Sequence, residues 1–314
     1  MARAEQSHLD SVDGPWFVDT RCIACDSARH WAPGLTGTDA EGRSFVIRQP
    51  VSRQEEAAMW RAAAACPTRS IGNRQQLREP QGIFPYQLTD GVYALGNNAM
   101  ASFAAHSFLV TRSQGNLMID SPRFSRPLAE EVDGLGGVAH VLLTHRDDVA
   151  DAERWMNRYD ARVWIDRAEA FAAPFATDVT SFKVNGNGAG NPGYEITEIA
   201  PGVTSIPAPG HTEGHVVYHV DNRHLFTGDT LHWNHRREEL DVLQGQTFFG
   251  WHILADTMMR LAELPVEWVF PGHGMWHRVG FKEWPARMVE LASAMSDLGQ
   301  EGWSTRTGAA YYWF

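Results

Sequence analysis

The sequence predicts an α/β protein in two unequal parts: a small N-terminal α+β unit, then a larger layered domain. Three observations carry this. A chain of 314 residues exceeds one typical domain and falls short of three. Its first seventy-odd residues differ in character from the rest. From about Pro85 onward, short strand-like runs mix with helical segments over ~220 residues, the pattern of stacked sheets and helices. Hydrophobic residues at 43% and charged residues at 21% are ordinary globular usage, which excludes a disordered, collagen-like or coiled-coil chain.

In the small unit, Phe45-Val46-Ile47 is a strand signal, and Ser52-Arg53-Gln54-Glu55 is a capping box opening an Ala-rich helix that runs to Ala65. Cys66-Pro67 follows. Residues 72–84 are polar and carry Gly and Pro as a linker does, which places the division at 1–76 and 77–314. So small a unit buries too little to stand alone, so a metal staple or docking onto the larger part is expected. Beyond it, strands are expected at Val92–Leu95, Ser107–Val110, Asn116–Ile119, Val141–Leu143, 216–220, 225–227 and Val266–Phe270. Helices are expected at 148–159, 252–263 and 281–297. The aromatic ending Tyr311-Tyr312-Trp313-Phe314 is expected to dock on the body.

The net charge of −11 argues against nucleic acid or an anionic membrane surface as partner. No run approaches about 18 uninterrupted apolar residues, and the N-terminus lacks a secretory apolar core, so no membrane span and a cytoplasmic location are expected. Three cysteines make a disulfide framework unexpected. Cys22-x-x-Cys25 with a distant Cys66-Pro67 fits metal or cluster binding better. Fourteen histidines in an acidic chain direct attention to a metal site, imidazole being the commonest protein ligand.

Four motifs each end a strand-like run with a ligand-type residue: Thr144-His145-Arg146-Asp147-Asp148-Val149-Ala150-Asp151, Pro209-Gly210-His211-Thr212, Gly228-Asp229-Thr230 and Pro271-Gly272-His273. Loops at strand ends are where a rigid scaffold presents functional groups. In this order and spacing the series resembles the metallo-β-lactamase superfamily, whose members run HxHxDH, GHT, GD and GH. The resemblance spans about residues 85–300 and takes in Asp120 and Trp268-Val269-Phe270. It implies a four-layered αβ/βα metallo-β-lactamase sandwich with metals at one edge and, in most members, hydrolysis by metal-activated water.

The site departs from that pattern. Reading from His145, the second His position is Asp147, the Asp position Val149 and the last His position Ala150. A two-residue insertion would let Asp151 supply the carboxylate, but Ala152 follows it where the family has His. The ligands the resemblance implies are His145, Asp147 and His211 on one side and Asp151, Asp229 and His273 on the other, holding one or two divalent metals. Asp151 or Asp229 would then deprotonate water. Carboxylate in place of imidazole favours iron or manganese, as in the flavodiiron branch with its acidic residue at the second His position; zinc with an Asp ligand stays open. His215 and His219 point to packing roles, and His106 or His232 is a possible substitute ligand.

Cys22-Ile23-Ala24-Cys25 and Cys66-Pro67, with Ala32-Pro33 between them, resemble a single-cluster bacterial ferredoxin domain over about residues 14–73. The resemblance implies an iron–sulfur cluster. Ala28 stands at the third position of the CxxCxxC run. Three cysteines leave a 3Fe–4S cluster, a 4Fe–4S cluster with an open iron, or one completed by another ligand, His30 being the nearest candidate; a relic without cluster is the alternative. The domain order resembles a fusion family of ferredoxin-like and lactamase-like units, in which Asp120-Ser121-Pro122-Arg123 also fits.

Three functions follow from these readings. One is a metal-dependent hydrolase acting on an ester, lactone or amide of a small molecule. Another is a non-haem iron redox enzyme fed through the cluster by an external electron donor; the Gly186-Asn187-Gly188-Ala189-Gly190 stretch lacks the strand–helix context of a nucleotide site. The third is a metal-free binding or scaffold protein, with Trp233, Trp251 and Trp276 lining a pocket.

Overall fold

The computed structural model describes residues 2–180, 196–234, 237–242 and 244–307. The aromatic ending, the Gly186–Gly190 stretch and His235 lie outside these described residues.

The N-terminal part contains β1 (Trp16–Val18), α1 (Ser27–Trp31), β2 (Thr36–Thr38), β3 (Ser44–Val46), α2 (Arg53–Ala65) and β4 (Ile71–Asn73). β1 pairs antiparallel with β4, and β2 with β3. The expected capping box opens α2. Ser52 Oγ accepts from Glu55 N at 3.2 Å, and Glu55 Oε2 accepts from Ser52 N at 3.2 Å. Both satisfy N–H groups that a helix start leaves without partners. α2 ends at Cys66, and Cys25 lies two residues before α1, so two helices place two cysteines.

The larger part holds two sheets. The first is formed by β5 (Tyr86–Thr89), β6 (Val92–Ala94), β7 (Phe108–Val110), β8 (Leu117–Ile119), β9 (His140–Leu142), β10 (Arg162–Asp166) and β11 (Asp178–Thr180), adjacent in sequence order. Its β5–β8 pairings are antiparallel and its β8–β11 pairings parallel, with α3 (Arg126–Gly134) and α4 (Ala152–Tyr159) in the crossovers. The second sheet begins with β12 (Thr197–Ala200), β13 (Val203–Pro207), β14 (Val216–Val220) and β15 (His224–Gly228). A hairpin of β16 (His232–Asn234) and β17 (Glu239–Asp241), then α5 (Trp251–Leu261), lead to β18 (Trp268–Pro271) and β19 (His277–Arg278), which complete that sheet. α6 (Glu283–Thr307) closes the described chain.

Strand periodicity explains the layers. Val216, Tyr218 and Val220 face the core shared with the first sheet, while Val217 faces the opposite way, toward Leu254, Met258, Trp284 and Met288 of α5 and α6. Leu128, Val132 and Trp155 of α3 and α4 cover the first sheet. The result is the expected αβ/βα sandwich.

The N-terminal part shares the first of these cores: Trp16, Trp31, Leu35, Met59 and Ile71 belong to one buried cluster with Phe84 and Leu95. Trp31 packs edge-on to Phe84 at 4.8 Å between centroids and lies 5.1 Å from Trp276. Docking thus joins its core to that of the larger part. The expected helix over 148–159 is shorter: residues 146–148 form a 3-10 turn, and α4 begins at Ala152. That difference matters at the site.

Candidate metal centre and cysteine site

One edge of the sandwich gathers the ends of five strands. Asp120 follows β8, His145 lies beyond β9, His211 beyond β13, Asp229 follows β15 and His273 lies beyond β18. Gly228 (φ +46°) makes this convergence possible, because a Cβ there would meet Thr144 Oγ1 at 2.5 Å and His215 Nε2 at 2.8 Å. A Cβ on Gly272 would stand 2.9 Å from Asp229 Oδ1 and 3.2 Å from Asp148 Oδ2, so bare backbone leaves these carboxylates their space.

Asp229 divides its oxygens between two groups. Its Oδ2 lies 3.7 Å from His145 Nε2 and 3.6 Å from His211 Nε2, and Asp147 Oδ2 lies 3.6 and 3.5 Å from the same two nitrogens. Its Oδ1 lies 3.8 Å from His273 Nε2. His145, Asp147 and His211 form one set whose ligand atoms lie within 4.8 Å of one another, and His145, Asp148 and Asp229 form another.

The rings are held so that their Nε2 atoms face inward. The Thr144 hydroxyl donates to the Asp120 carboxylate at 3.0 Å, so its oxygen accepts from His145 Nδ1, also at 3.0 Å. His211 Nδ1 donates to the Gln246 carbonyl. Such outer contacts fix tautomer and direction for ligation. His145 Nε2, His211 Nε2, Asp148 Oδ2 and Asp229 Oδ1 are buried and make no hydrogen bond. Each such orphan costs about 1–3 kcal/mol, so four approach a typical domain's whole stability of ~5–15 kcal/mol. A divalent cation accepting these lone pairs offsets that penalty. The residues therefore fit a metal.

Proton affinities follow burial and neighbours. Burial pushes Asp120 up to about 8, the Asp229 charge adding to it against the Thr144 hydrogen bonds. Burial, then the charges of Asp229, Asp120 and Asp147, drives Asp148 well above the carboxylate range. Asp229 is raised by burial to about 6, with His211 pulling the other way. His145 is held well below the usual imidazole range by burial and by His215, His211 and His273. His211 moves upward, because the adjacent Asp147 and Asp229 outweigh its burial.

Several expected residues fall elsewhere. Asp151 does not join the cluster: its Oδ2 accepts from Phe124 N at 2.7 Å and lies 3.4 Å from Arg154, at the start of α4. The 3-10 turn instead carries Asp148 inward, beside His145 and Asp229. The signal was two adjacent aspartates in a segment able to make a tight turn rather than a helix. His215 stacks on His145 at 4.7 Å and uses both ring nitrogens, Nε2 accepting from Asp229 N and Nδ1 bonding Thr230. It supports the centre rather than facing it. His219 bonds the Pro265 carbonyl. His106 faces His30 and Asn98, and His232 is buried on β16.

Profile comparison matches residues 102–273, more than half the chain, to the Metallo-beta-lactamase superfamily. The chain belongs to that superfamily. Residues 18–73 match the 4Fe-4S single cluster domain of Ferredoxin I. A hydroxyacylglutathione hydrolase of Methylobacillus flagellatus is 27% identical over 176 residues, 55% of this chain and 63% of that protein, so the chain spans less than two thirds of the relative's length. Among solved structures, a metallo-beta-lactamase from Hirschia baltica matches at TM-score 0.46 with 16% identity, over 66% of this chain and 96% of that one. The mono-zinc form of a metallo-beta-lactamase from Pseudomonas aeruginosa matches at 0.48 with 15%, over 67% and 94%.

In this superfamily member the ferredoxin-like part brings its cysteines together. Cys22 Sγ accepts from Ser44 N and Cys66 Sγ from Ser70 N, each at 3.3 Å, and Cys25 Sγ donates to Ser27 Oγ at 3.5 Å. Burial, then the neighbouring Cys66 and Cys22, pushes the Cys25 thiol up to about 12, and burial raises Cys22. Buried sulfurs lined with N–H donors fit the thiolate ligation of an iron–sulfur cluster, whose iron supplies the compensating charge. Ala28, at the missing cysteine position, is buried. His30, the expected fourth ligand, has its Nε2 3.2 Å from Asp26 Oδ2 and its Nδ1 3.3 Å from His106 Nε2.

Proposed function

We propose that the protein is a metal-dependent hydrolase of a small-molecule ester, thioester or lactone, with residues 1–76 as an iron–sulfur unit and 77–314 as the hydrolytic unit. The observation that carries this is the group of inward-facing, unpartnered atoms on His145, His211, Asp148 and Asp229. His145, His211, Asp147 and Asp229 would hold one divalent cation. Asp229 Oδ1, Asp148 and His273 offer a harder second position, suited to manganese or iron. When bound, a cation polarises the acyl oxygen and acidifies water. Thioesters enter the substrate class through the hydroxyacylglutathione hydrolase relative.

The chain's own groups handle the protons. With one cation on His145, His211, Asp147 and Asp229 Oδ2, the buried Asp148 carboxylate stands beside the centre to accept water's proton and pass it to the departing oxygen or sulfur. Phe103 against His273 and Phe248 against His211 place partly exposed apolar rings beside the centre. Metal analysis with a panel of small esters, thioesters and lactones tests the reading. Turnover that stops on chelation and returns with Mn²⁺ or Zn²⁺ is expected; turnover indifferent to chelator would sink it.

A second reading rests on the His145–Asp147–His211 set. Two imidazoles and one carboxylate suit non-haem iron(II), which would give a redox enzyme drawing electrons from an external donor through the cluster. Oxygen consumption dependent on a reduced one-electron donor, with no hydrolysis of the panel, would favour it.

A further inference from the structure

We propose that His30 and His106 form a positioning link through which the iron–sulfur unit sets the metal affinity of the lactamase-fold centre, an inference that rests on the metal-centre reading above. Asp26, His30, Asn98 and His106 are all buried. They form a line from the residue after Cys25 to the loop that carries His273.

The direction of the hydrogen bonds is determined by the Asn98 end. Asn98 Nδ2 donates to the Ala104 carbonyl at 2.7 Å, which identifies it as the amide nitrogen. It therefore also donates to His106 Nδ1, at 3.5 Å. His106 Nε2 then carries the ring hydrogen and donates to His30 Nδ1 at 3.3 Å. His30 Nε2 in turn lies 3.2 Å from the Asp26 carboxylate, within ion-pair distance. His106 is neutral in this arrangement, and no donor meets a donor between Asn98 and His30. Burial, then the adjacent His30, holds His106 down to about 3, consistent with a neutral ring.

Both ends are anchored in a functional segment. Asp26 holds a left-handed backbone (φ +62°) between Cys25 and α1, a conformation uncommon for a residue with a side chain. His106 N donates to the Gly272 carbonyl at 2.6 Å, and the Gly274 carbonyl also faces the His106 ring. These two glycines flank His273, whose Nε2 faces Asp229. Trp31 of α1 and Trp276 of the same loop close around His106 at 6.3 and 5.9 Å between centroids.

A cluster bound through Cys25 fixes the Cys25–Asp26 turn and so the place of His30. His30 fixes the His106 ring, and His106 holds the Gly272–Gly274 backbone at the position His273 needs. Without the cluster this turn loses an anchor, and the free energy of ordering the loop must come from metal binding itself. Such coupling is reciprocal and ordinarily amounts to 5–150-fold in affinity. It explains why a cluster would be fused to a hydrolase whose chemistry moves no electrons.

The test measures Mn²⁺ affinity by the EPR signal of the free ion, using the whole chain stripped of divalent metal. One sample carries a cluster reconstituted anaerobically with iron and sulfide; the other does not. Mn²⁺ is chosen because a hard ion avoids the free thiols of the cluster-free form. Affinity about tenfold or more lower without the cluster is expected. His30→Leu, and independently His106→Leu, are expected to lower the cluster-loaded form to the cluster-free value while leaving the sulfide content unchanged. Equal affinity with and without cluster in the unaltered chain overturns the link and requires no variant. So does a dependence that survives in either variant, or a chain that takes up no iron and sulfide. No Mn²⁺ binding in either form overturns the metal-centre reading as well, which separates the two failures.

Discussion

At the cysteine site each sulfur already has a hydrogen-bonding neighbour from its own unit, whereas at the sandwich edge four buried nitrogen or oxygen atoms have none. The contrast follows from ligand chemistry. A thiol is a small hydrophobe when protonated, and burial keeps it so: the raised Cys25 makes the site tolerable without cofactor. Clustered carboxylates and imidazoles have no comparable neutral refuge, because a proton that relieves Asp148 still leaves His145 and His211 unpartnered. The acid–histidine centre is thus the more dependent on its metal.

The strongest way to break this comparison is to remove one ligand from each site. Asp229→Ala takes both oxygens from the edge and is expected to abolish Mn²⁺ or Zn²⁺ binding, with hydrolysis falling about 10³-fold or more. Iron and sulfide content should stay unchanged. Cys25→Ser is expected to do the reverse, removing the cluster while divalent metal still binds, only more weakly. Loss of both metal types in either variant, by elemental and sulfide analysis of folded protein, would show that the sites are not separable.

A sharper comparison sets Asp148 against Asp151. Asp148→Asn is expected to weaken metal binding about 10–100-fold. Asp151→Ala should leave affinity nearly unchanged and lower stability by about 1–2 kcal/mol, through the lost acceptor for Phe124 N. Equal effects on metal binding would return Asp151 to the site.

The pairing of Asp148 with Asp151 also shows where the sequence was readable. The sandwich was legible because each of its signals is local and repeated: short apolar runs, a ligand-type residue after each, and glycine where the backbone must turn. His145, Asp147, His211, Asp229 and His273 could each be placed by motif. Asp148 could not, since whether 146–151 begins a helix or makes a 3-10 turn decides which aspartate points inward, and that depends on Ser121 bonding Val149 O and Phe124 bonding Asp151 from a distant loop. His30 and His106, 76 residues apart, meet only because the two units dock. Contacts across such an interface leave no periodicity.

Acidity offers a third, smaller contrast. In metal-stripped protein the histidines whose folded values are depressed, among them His145, His215 and His273, lose their contribution as pH falls through about 6.5, the unfolded imidazole value. About one unit above that pH they are neutral in both states and drop out. Asp120 is raised to about 8, so the folded state holds a proton that the unfolded chain, with carboxylates near 3.8, has released. Stability carried by that proton is lost as pH rises through about 8. The stripped protein is therefore expected to melt lower at about pH 8.5 than at about pH 7.5, and Mn²⁺ should narrow the gap by favouring ionised carboxylates. Cys25, titrating only near 12, adds nothing in this window. A flat melting profile across that window would contradict the buried-acid account.

The smallest effect tests whether the cysteine site is as self-contained as its hydrogen bonds imply. Ser52→Ala removes the side-chain half of the α2 capping box, far along the chain from Cys66 at the other end of that helix. Losing an N-cap of this kind costs about 1 kcal/mol, a drop of roughly 2–4 °C in a chain of this class. Because Met59, Ala62 and Ala65 bury the helix against the shared core, packing rather than the cap sets where Cys66 lies. Cluster content should survive, and the metal centre, which shares no partner with Ser52, should keep its affinity. A cluster lost on so slight a perturbation would mean that the order of α2, and not its packing, presents Cys66.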